Sequence, residues 1–67
     1  MMDTHTYTHT MDTLVYVRSM HTLHMRLYVE AYLRRDTPTM DIHHAHVQHY
    51  AAQVAHYEAL VHTMLHS

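Results

Sequence analysis

Histidine is the residue whose type and spacing in this sequence could support chemistry. The chain has 11 histidines among 67 residues and no cysteine, so imidazole is its main ligand for a transition metal. His49 and His56 lie two turns apart on one helical stripe, and His62 and His66 have the i, i+4 spacing that directs two imidazoles to one ion. Zinc takes four such ligands. We predict a zinc-like ion held between helices by His49, His56, His62 and His66.

His24 differs from the other histidines because it interrupts an apolar seam between Met20 and Leu27. A buried neutral imidazole destabilises a fold unless its nitrogens find hydrogen-bond partners. In an antiparallel hairpin we expect His24 opposite the middle of the second helix, near Tyr50 to Tyr57, where a hydroxyl could satisfy it. This pattern favours a hydrogen-bonded core histidine over a metal or haem ligand, and haem is not expected.

The sequence shows no arrangement typical of an enzyme. Serine occurs only as Ser19 and Ser67, and Asp12, Asp36 and Asp41 stand where helices are predicted to begin or end. Capping explains such carboxylates, and no two acidic residues are paired in an apolar setting. We therefore predict no catalytic residues.

Two amphipathic helices are predicted, over residues 12–35 and 38–66. Asp12 is a favourable N-cap for the first, and Thr37 before Pro38 caps the second, with Thr39 as an alternative. Apolar residues recur at the +3/+4 spacing of a helical seam. The first seam is Val17, Met20, His24, Leu27 and Ala31, and the second is Met40, His43, Val47, Tyr50, Val54, Tyr57, Val61 and Met64. Threonine alternates with histidine or tyrosine from Thr4 to Thr10, and we predict a polar flexible tail over residues 1–11.

The second helix carries a further seam, which indicates a second packing surface. Small residues and histidines repeat there at the same spacing, namely Ala45, His49, Ala52, His56, Ala59, Thr63 and His66. A short turn forces the helices into an antiparallel hairpin. A helix with two packing faces belongs in a bundle, so the predicted fold is an all-α helical hairpin that dimerises into a four-helix bundle.

Length and charge limit the classes of partner. A chain this short forms one domain with a small core and needs a metal or self-association for stability. Its formal charge is −2, and four arginines are its only fixed positive side chains. This charge argues against nucleic acid as a partner. No apolar run reaches the length of a membrane span, and the compartment is left open, with the cytoplasm expected for a chain expressed in a cell.

The composition points to an unusual origin. Glycine, tryptophan, phenylalanine and cysteine are all absent, and most residues have codons that can alternate purine and pyrimidine at the first two bases. We interpret the chain as artificial or newly arisen. The predicted function is a self-associating helical bundle that binds a zinc-like ion. The alternatives are a purely structural helical oligomer without ligand or activity, and a pH-responsive interaction module.

Overall fold

The protein is a pair of long antiparallel α-helices. The computed structural model describes residues 4–66, in which α1 spans Thr4–Leu33 and α2 spans Thr37–Leu65. The pair forms a rod with extents of 51 × 14 × 12 Å. The predicted all-α helical hairpin is confirmed, and the bounds of α2 agree with the prediction to within one residue. Neither described helix is long and apolar enough to cross a membrane.

The N-terminal part of α1 corrects the sequence prediction. The helix begins at Thr4, not near Asp12, so the flexible tail predicted for residues 1–11 is wrong for residues 4–11. Residues 1–3 lie outside the described part of the chain. Thr10 is buried, and its hydroxyl donates a 2.8 Å hydrogen bond to the Thr6 carbonyl. Because α2 is 29 residues long, it extends far enough to pack against residues 4–11 of α1. This packing outweighs the modest helix propensity of threonine and histidine.

The interface between the helices is thin. Within residues 4–66 the buried apolar side chains are Leu14, Val17 and Ala31, all on α1, and α2 contributes no fully buried residue. Both predicted seams do face the interface, since every member is buried or half-buried. The third seam, from Ala45 to His66, is exposed along its whole length. A single hairpin therefore covers its predicted core only in part.

A turn without glycine reverses the chain. The Arg35 N–H bonds to the Tyr32 carbonyl at 3.0 Å and the Asp36 N–H to the Ala31 carbonyl at 2.9 Å, the pattern of a Schellman motif. Arg35 accordingly has a φ of 57°, in the left-handed region that favours glycine.

The N-cap of α2 also differs from the prediction, which placed Thr37 or Thr39 there. Asp36 is the cap, and its carboxylate accepts hydrogen bonds from the Thr39 hydroxyl at 2.6 Å and the Thr39 N–H at 3.3 Å. These two hydrogen bonds lower the pKa of the Asp36 carboxyl, and the bond from the Thr39 hydroxyl has the larger effect. A carboxylate is preferred here because it also interacts favourably with the helix dipole.

Arg35→Gly is expected to raise the free energy of unfolding by about 0.5–1 kcal/mol, because glycine adopts a positive φ without the steric cost that arginine carries. Arg34→Gly is the matched control. Arg34 retains the helical N–H bond to the Glu30 carbonyl, so glycine there should lower the free energy of unfolding by about 0.5–1 kcal/mol. Urea denaturation at one fixed protein concentration measures both. Losses of equal size in the two variants would contradict the turn geometry.

Candidate histidine cluster between the helices

One group of ring side chains, here called the His24 cluster, joins the two helices. It consists of His24 from α1 with His43, His46 and Tyr50 from α2. The three α2 residues are spaced three and four apart, so successive turns bring them to the same helix face. The His24 ring stacks on His46 at a centroid distance of 4.5 Å and on Tyr50 at 5.6 Å. His24 thus meets aromatic neighbours from α2 on consecutive turns.

The shortest polar contact in the cluster joins His24 and His43. Their Nδ1 atoms are 3.0 Å apart, so one nitrogen must carry a proton and donate it while the other accepts. The predicted hydrogen-bonded seam histidine is confirmed, but its partner is an imidazole and not a tyrosine hydroxyl.

The prediction placed His24 near Tyr50 to Tyr57, and the contact with Tyr50 is confirmed. The other contacts of His24 lie earlier on α2, at His43 and His46. The short turn makes residues that are about equally far from Arg35 face each other. Because α1 begins at Thr4, His24 lies well past the midpoint of that helix, and it faces the first half of α2.

The environment of His24 disfavours a positive charge on its ring. Partial burial lowers its pKa below the ordinary 6.5, and the nearby imidazoles of His46 and His43, when charged, lower it further. His24 is therefore neutral at pH 7, which matches its role in a shared hydrogen bond.

The four predicted metal ligands are only partly brought together within one chain. His62 and His66 approach with ring centroids 4.1 Å apart. His49 and His56 are exposed, and each contacts the tyrosine that follows it. At about 1.5 Å per residue, His49 and His66 are roughly 25 Å apart along the helix. Across residues 4–66, no three histidine or acidic side chains are placed to hold one metal ion. Zinc binding by these four residues stays a prediction that requires a second chain.

An apolar groove lies on one side of the hairpin, between the helices. It has a volume of about 270 Å³ and is lined by Met25, Tyr28, Val29, His44 and Val47. Further along the same side, the Arg18 guanidinium donates to the Glu58 carboxylate at 3.0 Å. Both side chains of this ion pair are half exposed, so it contributes little to stability.

The chain matches no family model, no curated protein and no solved structure. Its function must be inferred from its own residues.

The sequence contained a signal for the contact between His24 and His43. Each residue stands on the predicted seam of its own helix, so the two seams had to bring them to one interface. To predict which residues of α1 and α2 face each other, one would also have to know where α1 begins and how compact the turn is.

Proposed function

We propose that this chain is a self-associating helical hairpin that pairs with a second copy to form a four-helix bundle. The observation that carries the proposal is surface area. The hairpin exposes 5077 Å², whereas a compact monomer of 8.0 kDa exposes about 4,450 Å². The excess is roughly 600 Å² per chain.

Large apolar side chains contribute to this exposed surface. Within residues 4–66 ten of them are exposed, and three of these, Val29, Tyr32 and Leu33, lie in the last turns of α1. If each of two chains buried its excess, the interface would cover about 1,200 Å² in total, which is the lower limit for specific, stable association. A second copy supplies that area with apolar residues of the same kind.

The apolar groove is the surface we assign to this pairing. Met25 and Val29, which are 48% and 49% exposed, border it together with residues of α2. Leu23 is 41% exposed, but at about 100° per residue it points roughly 160° away from Met25. The two sides of α1 can therefore be tested separately.

Sedimentation velocity tests the pairing over a range of protein concentrations. We expect a dimer at micromolar concentration, and Val29→Glu should weaken it at least 10-fold because it buries an unpaired charge at the interface. Leu23→Glu is the matched control and should leave the dimer intact, while circular dichroism verifies that both variants remain helical.

Two results would contradict the proposal. A wild-type chain that stays monomeric at every concentration would overturn self-association. A dimer broken by Leu23→Glu and not by Val29→Glu would overturn the assignment to the groove.

Zinc binding by His49, His56, His62 and His66 is our second proposal, and the proximity of the His62 and His66 rings supports it. Paired chains would supply the ligands that one chain cannot. The same sedimentation experiment tests it with zinc and with a chelator. Zinc should tighten the dimer by mass action. A dissociation constant that chelation leaves unchanged would contradict zinc binding and leave self-association standing.

A further inference from the structure

The apolar groove contains one side chain that changes its charge near neutral pH. His44 lines the groove from α2, and its ring centroid lies 6.0 Å from that of Tyr28 on α1. The other lining residues, Met25, Val29 and Val47, are apolar. Histidine is the side chain that takes up a proton between about pH 8 and pH 5. Acidification therefore places a positive charge in a surface that is otherwise uncharged.

The helices offer little to compensate a charge on His44. Arg26 and Glu30 lie two residues on either side of Tyr28, so they point roughly 160° away from it around α1. On α2 the carboxylate of Asp41 lies three residues before His44, but its side chain is exposed. Attraction between exposed groups is weak and is screened by salt. Tyr28 is thus the titratable group that faces His44 from α1.

We propose that His44 makes the pairing of two hairpins pH-dependent, so that the four-helix bundle forms at neutral pH and separates into single hairpins on acidification. This inference rests on the proposed pairing through the groove. His44 is exposed in the single hairpin, where water hydrates its charged form. A twofold interface uses the same surface of both chains, so the His44 side chains of both copies lose water together. Burial of a charged imidazole without a partner costs far more than burial of a neutral one.

The direction of the effect follows from this difference. The dimer favours neutral His44, so its formation releases protons in the pH range where histidine titrates, and its dissociation constant rises as the pH falls. His24 acts on a different equilibrium. Its ring is already part-buried in the single hairpin, so protonation of His24 opposes folding, whereas protonation of His44 opposes association and leaves the helices intact.

Sedimentation velocity at pH 7.5 and pH 6.0 tests the role of His44. A chelator removes zinc, and sodium chloride at about 0.5 M screens repulsion between the other histidines. The dissociation constant of the wild-type dimer should be roughly 10-fold larger at pH 6.0, because each dimer buries two such imidazoles. His44→Gln keeps a polar side chain that cannot take up a proton, and its dissociation constant should change by about 2-fold or less. Circular dichroism verifies that the helices persist at both pH values.

His49→Gln is the matched control. It makes the same change at an exposed histidine on α2 that points roughly 140° away from His44, and it should retain the wild-type shift. A His44→Gln dimer that weakens on acidification as much as the wild type would overturn this inference and leave pairing standing. So would a shift that is lost in His49→Gln. A wild-type chain that is monomeric at pH 7.5 would instead overturn the pairing itself, and the inference with it.

Discussion

Leu14→Ala is expected to remove about 2–5 kcal/mol from the free energy of unfolding. Leu14 is only 3% exposed and is one of the three buried apolar residues of residues 4–66. Proteins of this size rarely have more than roughly 3–5 kcal/mol of core stability. The variant should therefore be largely unfolded at 25 °C, with loss of helical circular dichroism in the absence of denaturant.

Leu33→Ala is the matched control, since it makes the same chemical change on the same helix. Leu33 is 74% exposed, so its truncation should change the free energy of unfolding by about 0.5 kcal/mol or less. Both variants should be compared at equal protein concentration by urea denaturation. Equal effects in the two variants would mean that the first half of α1 does not pack against α2.

Acidification from pH 7.5 to pH 5 is expected to lower Tm. The pKa of His24 is lowered by burial and by the neighbouring His46 and His43, so the folded chain binds fewer protons than the unfolded chain. The stability that neutral His24 contributes is fully present above pH 6.5. It is lost as the pH falls through the lower pKa that His24 has in the folded chain.

His24→Leu should make the decrease in Tm clearly smaller, because it removes the histidine whose protonation the fold resists. His49→Leu is the control, since it removes one histidine from an exposed position and should leave the wild-type decrease nearly unchanged. Thermal scans at half-unit pH steps measure both. Identical decreases in the two variants would exclude His24 as a source of the acid response.

Helical periodicity was sufficient to predict most of the fold. The seams containing Val17 and Val47 each place apolar residues on one helical face, and Pro38 marks the only strong break in the pattern. Both signals are local, because the spacing of side chains around a helix depends on few neighbours. The hairpin therefore followed from the sequence.

The start of α1 depends on contacts between residues that are far apart in the sequence. It could therefore not be predicted from the local pattern of residues. Residues 4–10 alternate threonine with histidine or tyrosine and have no apolar stripe of their own. They are helical next to the far end of α2, where Thr10 is buried. The contact between His24 and His43 has the same dependence, since the register that creates it follows from the turn at Arg35 and Asp36.

The compact turn also determines how the molecule responds to force. The helices are antiparallel and nearly equal in length, so Thr4 and Leu65 lie at the same pole of a 51 Å rod. A force that pulls the two chain ends apart would break the contacts between the helices one after another, starting from that pole. The hairpin should therefore unfold at low force. The contact between His24 and His43 and the turn at Arg35 and Asp36 should be disrupted last. Peptides attached to the two termini would be held side by side.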